Sequence, residues 1–191
     1  MRAARAPLLA ALLLVGPAPP AAAAALAPGP AERADALRAG ARSVTQEAFD
    51  REWRVANASG DSLNVVTPFH RLVLAARHAA FKNEKLRPGE PERILREQGE
   101  RLVIWASLRG PRPDFARYYA PWLVAGDREI APSFVQNERT ALRQDGGRYL
   151  ARSVYGFPTR DLDGRARVQL VIRDPDGRDV GRFTIDLSAM R

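Results

Sequence analysis

The sequence predicts an α+β protein whose larger part is an antiparallel β-sandwich, with an N-terminal β-hairpin and one or two packed helices ahead of it. Three observations carry this. From Arg101 onward apolar residues recur at every second position, the period of a half-buried strand. Clusters of Gly, Pro, Asp and Asn interrupt that alternation at short, regular intervals, as in sandwiches and barrels. Ahead of residue 100, the stretch from Thr67 to Asn83 changes to helical spacing.

The chain opens on an export signal. Residues 1–25 have the three parts of a secretory leader: Arg2 and Arg5, the apolar run Leu8 to Val15, and small residues from Ala21 to Ala25, with a cut expected near Ala25. An uncleaved anchor is the rival reading. The apolar run falls well short of the roughly 20 residues a spanning helix needs, and Pro17, Pro19 and Pro20 break the stretch beyond it. No transmembrane anchor is expected after cleavage. Residues 26–45 read as a flexible Ala/Arg/Pro-rich segment, because Leu37 is the only large apolar side chain between Pro28 and Arg42. Residues 46–191 then read as a single α+β domain, with the sandwich from about residue 101.

Within that domain, Trp53 and Val55, a loop from Asn57 to Asp61, and Leu63, Val65 and Val66 predict a hairpin. A helix pairing Phe49 with Trp53 is the alternative. Thr67-Pro68 starts a helix, with threonine capping free N–H groups and proline tolerated where no donor is needed. Its Phe69, Leu72, Val73, Ala76, Ala79 and Ala80 share one face, and the alanines would allow close approach to a sheet. Glu90 to Gln98 is a second, shorter helix ended by Gly99.

Strands are expected at Leu102–Leu108, Trp122–Val124, Arg128–Phe134 and Arg148–Phe157. A closing hairpin turns at Pro175-Asp176-Gly177 and bulges near Gly181. This last hairpin resembles the closing strands of immunoglobulin-like or fibronectin-type domains. The resemblance spans residues 101–187 at most and lacks the Cys…Trp…Cys hallmark, since the chain has no cysteine.

That absence also excludes thiol catalysis and thiolate metal sites. The formal net charge is +8, and Lys82 and Lys85 are the only lysines among 30 basic residues. Arginine in such excess, with abundant Ala, Pro and Gly, points to a GC-rich bacterial genome. A basic exported protein can also meet anionic polymers or headgroups. The partner expected is an envelope protein or an anionic polymer, not nucleic acid, and no cofactor is expected.

Candidate binding residues fall in two groups. His70 and Arg77 stand seven apart on the first helix of the domain and could hold an anion. The alternative is polar decoration of a packed helix. Tyr118, Tyr119 and Trp122 crowd a stretch with Phe115, Arg112 and Arg117, a composition common in binding hot spots; the alternative is a loop plugging the sandwich with its rings inward.

The two histidines, His70 and His78, lack the i, i+4 spacing of a helical zinc site. Asp161-Leu162-Asp163-Gly164 and Asp174 to Asp179 resemble fragments of calcium loops but lack the closing Glu, and turn chemistry explains both. No serine-nucleophile or phosphate-loop motif is present. The expected function is a non-enzymatic binding or interaction module of the bacterial periplasm or cell surface. The alternatives are an envelope-polymer hydrolase with paired carboxylates, among which Glu129 and Glu138 are candidates, or an assembly helper offering a strand edge.

Overall fold

A computed structural model describes residues 23–191. The leader expected at residues 1–25 lies outside the described residues but for its last three. Among the described residues are three α-helices and ten strands in two antiparallel sheets.

Residues 26–45, expected as a tether, instead contain α1, Pro30–Arg42, with Ala36 and Gly40 buried. The Glu32 carboxylate accepts from the Gly29 backbone N–H at 2.8 Å, and Pro30 opens the helix. The segment orders itself without large side chains because α1 buries its backbone: a Cβ on Gly40 would lie 2.4 Å from the Val73 carbonyl oxygen and 2.8 Å from Ala76 Cβ.

Both atoms belong to α2, Pro68–Phe81. The alanine end of α2 therefore meets α1, not a sheet. Thr67 caps α2 as expected, its Oγ1 accepting from the His70 N–H at 3.0 Å. That hydroxyl also donates to the Arg191 carbonyl at 2.7 Å. Helix α3, Glu90–Gln98, ends at Gly99 with φ of 65°.

The expected hairpin is β1, Arg54–Ala56, and β2, Ser62–Val66, with Trp53 in a 3-10 turn just before it. Asp61 in the loop accepts from the Arg109 N–H at 2.8 Å, tying the turn to the next strand. That strand is β3, Arg101–Gly110, which runs antiparallel to β2 and to β8, Tyr149–Pro158. Two short strands, β6 (Phe134–Gln136) and β7 (Leu142–Arg143), complete this six-stranded sheet on the far side of β8.

The second sheet is β10-β9-β4-β5, formed by Asp179–Asp186, Arg167–Arg173, Ala120–Ala125 and Arg128–Ile130. Its register slips between Asp179 and Gly181, which is the expected bulge.

The strand expected from Arg128 to Phe134 is two strands in different sheets. β5 stops at Ile130, and Phe134 opens β6 opposite Gly156 on β8. Pro132, with no N–H to give a ladder, lies in the crossing, and Ser133 donates its N–H to the Gly156 carbonyl at 2.8 Å. Inward residues of both sheets share one core with α2. Leu102, Ile104, Tyr155 and Phe157 come from one sheet, Leu123, Leu170, Ile172 and Ile185 from the other. Trp53 and Leu72 are buried in the same cluster.

Candidate functional site

The outer face of the six-stranded sheet carries the most exposed tryptophan of the structure. Alternation along β3 sends Leu102, Ile104, Ala106 and Leu108 into the core and leaves Val103, Trp105 and Ser107 on the other face. Trp105 is 43% exposed. Register places it between Asn64 on β2 and Val154 on β8. One step along, Val103 lies between Val66 and Gly156, with Phe134 beyond. Gly156 has room for no more than ordinary contact: a Cβ there would sit 3.4 Å from both Arg101 Cδ and Phe134 Cβ. The glycine thus keeps the surface low beside Trp105.

Two grooves meet at Trp105. One, of about 310 Å³, lies towards α3 and is lined by Val103, Phe134, Val154, Arg71, Gln98 and Arg101. The other, of about 460 Å³, lies towards the hairpin and is lined by Asp50, Arg54, Asn64, Ser107 and Arg152.

Arg54, Arg71 and Arg152 are exposed, and none makes an ion pair among the described residues. Arg101 is engaged, donating Nε to the Gln98 carbonyl at 2.8 Å, and Glu97 is taken by Arg93 at 2.9 Å. Behind each groove lies a buried acceptor with no partner in the protein, Gln98 Oε1 behind the first and Asn64 Oδ1 behind the second. The arrangement offers an aromatic face and unneutralised cations.

The residues singled out from the sequence lie elsewhere and in several places. His70 is fully buried, stacked on Trp53 with ring centroids 3.9 Å apart. Its Nδ1 lies 3.1 Å from the Val65 carbonyl, which requires a proton on that nitrogen. Burial holds its pKa down, to about 4, against the smaller opposing pulls of that carbonyl and of Asp50. Arg77 turns away from it. Its guanidinium lies 3.9 Å over the Phe49 ring and donates to the Ser43 carbonyl at the end of α1. His70 and Arg77 are committed to different partners, so no surface anion pocket forms from the pair.

The aromatic stretch divides. Phe115 lies against Gly110 and meets Tyr119 edge to face at 5.8 Å. Burial, then the negative charges of Asp174 and Asp61, raise the Tyr119 phenol pKa. Tyr118 points outward, with Arg117 at 5.2 Å from its ring. Trp122 sits on the outer face of the other sheet beneath Arg173, which is bound by Glu129 at 2.5 Å and Asp179 at 3.3 Å. Phe115 and Tyr119 pack inward as a plug would have them, whereas Tyr118 and Trp122 do not.

The acidic turns do turn chemistry. The Asp174 carboxylate accepts from the N–H groups of Arg178 at 2.9 Å and Asp176 at 3.0 Å, and from the Arg178 side chain at 3.0 Å. These bonds, led by the Arg178 N–H, lower its pKa. Glu138 accepts from the Arg152 N–H at 2.6 Å. Among the described residues no three His, Cys, Asp or Glu side chains gather as metal ligands would.

Compared with protein-family models, curated proteins and solved structures, the chain gives no significant match. No helix among the described residues is long and apolar enough to cross a membrane.

Proposed function

We propose that this chain is an exported, non-enzymatic binding module of the bacterial cell envelope, built on an immunoglobulin-like sandwich, and that the outer face around Trp105 is its contact surface. The leader-like N-terminus supports export to the periplasm or cell surface. One observation carries the choice of face: an exposed tryptophan between two grooves whose exposed arginines, Arg54, Arg71 and Arg152, have no carboxylate partner among the described residues. Indole faces stack on flat apolar surfaces such as those of sugar rings, and arginine suits carboxylate, sulfate and phosphate groups. An anionic envelope polysaccharide combines both features.

The two alternatives gain less support. Asp50 is the one carboxylate lining the groove beside Arg54 and Arg152, whereas a hydrolase of the paired-acid kind needs two facing each other. The sheet edges are poor docking strands: β1, β5 and β6 are three residues long, β7 is two, and β10 is bulged and carries Asp179 and Arg182.

The test is retention of the purified protein on immobilised anionic polysaccharide across a salt gradient. Trp105→Ala should weaken retention about tenfold, as losing one stacked aromatic does. Removing Arg54 and Arg152 together should flatten the salt dependence. Equal retention of wild type and both variants would defeat the proposal.

A further inference from the structure

Ala24, near the end of the expected leader, is held in place. The Ala24 N–H lies 2.8 Å from the Gly164 carbonyl oxygen and 3.0 Å from the Leu187 carbonyl oxygen. Ala24 is buried, and its own carbonyl oxygen would lie 2.4 Å from a Cβ on Gly164, so the seat is shaped around this residue. An amide nitrogen has one proton to divide between two such acceptors. An ammonium has three.

We infer that processing cuts between Ala23 and Ala24, and that the new amino terminus is held in this seat. The inference rests on the export reading above. Water hydrolyses the Ala23–Ala24 amide, leaving a carboxylate on Ala23 and an amine on Ala24 that takes up a proton at neutral pH. Two of its N–H groups then meet Gly164 and Leu187. The third points where Ala23 now lies, and Ala23 is partly exposed, so water can reach it.

The sequence independently narrows the position. A signal peptidase reads small residues one and three places before the cut. Ala21 and Ala23 fit that rule for a cut before Ala24. Ala22 with Ala24, or Ala23 with Ala25, fit it equally well, but either cut would discard Ala24 and empty the seat. A cut after Ala22 would need Pro20 at the third place back. Gly16 with Ala18 also fit the rule, but Pro19 would then follow the scissile bond; of the other registers only the first satisfies both the peptidase and the fold. It moves the expected cut from Ala25 to Ala23.

The test is expression of the full chain with its leader in a bacterial host, with intact mass and N-terminal sequencing of the exported product. A product beginning at Ala24 supports the inference; one beginning at any other residue after leader removal overturns it and leaves the export reading intact. A product retaining the leader sinks the export reading and this inference together.

Amine labelling of the folded product gives a second measurement, since the exposed Lys82 and Lys85 are the only side-chain amines. The α-amine should label about tenfold more slowly when folded than when denatured, as groups reached only through local opening do. Equal rates in the two states would show that the seat does not hold the terminus.

Discussion

Replacing Gly40 by alanine sets two effects of opposite sign against each other. In an isolated helix the change stabilises by about 1 kcal/mol, because glycine gives up more backbone freedom. Here the new Cβ would meet the Val73 carbonyl oxygen at 2.4 Å, Ala76 Cβ at 2.8 Å and the Arg77 nitrogen at 3.0 Å. Two of the three are backbone atoms of α2, which cannot rotate aside. The helices must separate by most of an ångström, and overpacking of this kind costs about 1–3 kcal/mol. With rigid neighbours the upper end applies, leaving a net loss of about 2 kcal/mol. For a domain of this size that lowers Tm by about 4–8 °C. Thermal unfolding monitored by circular dichroism measures it. A Tm equal to or above wild type would mean that helix propensity decides, and that α1 does not press on α2 as described.

Buried groups give two further outcomes. His70 stays neutral in the folded protein down to about pH 4, whereas in the unfolded chain it takes a proton near its ordinary value of 6.5. Between those values the unfolded state binds the extra proton, so stability falls as pH drops from about 6.5 to 4, by about 3 kcal/mol from this residue. Denaturant titrations at pH 7 and pH 4 should show His70→Phe losing that much less than wild type over the interval; parallel losses would refute it. Thr67→Ala removes the cap on α2 and the bond to the Arg191 carbonyl, and should cost about 1–2 kcal/mol in the same titration, most of it recovered by Thr67→Ser. No rescue by serine would show that the hydroxyl is not what matters.

Much of the fold was legible because its signals are local. Thr67-Pro68, Gly99, the loop from Asn57 to Asp61 and the bulge near Gly181 each announce a backbone event through residues at that place. α1 was missed because Ala36 and Gly40 bury main chain, and hydropathy counts side chains. The jump of the chain between sheets at Pro132 is a tertiary choice that period-two spacing does not encode. The candidate site was partly legible. Trp105 stands in an outward register among inward Leu102, Ile104, Ala106 and Leu108, which marks it as exposed if the face is not covered. Its arginine neighbours, by contrast, come from β1, α2 and β8 and meet only through strand pairing and helix packing. Clustering in sequence draws attention to Tyr118, Tyr119 and Trp122, which the fold sends to different places: Tyr119 inward, Tyr118 outward and Trp122 onto the outer face of the other sheet.

The Arg191 carbonyl accepts from Trp53 Nε1 at 3.0 Å as well as from Thr67, while its guanidinium reaches Glu52 at 3.0 Å and lies 5.5 Å from the Phe69 ring. The entry to the β1–β2 hairpin and the cap of α2 are therefore clasped by a residue 138 and 124 positions further along the chain. Contacts this distant in sequence form late and slow the search for the native state. A nascent chain of this design stays pliable there until Arg191 has emerged, and removing that residue would loosen the start of α2 and the entry to the hairpin, far from the cut.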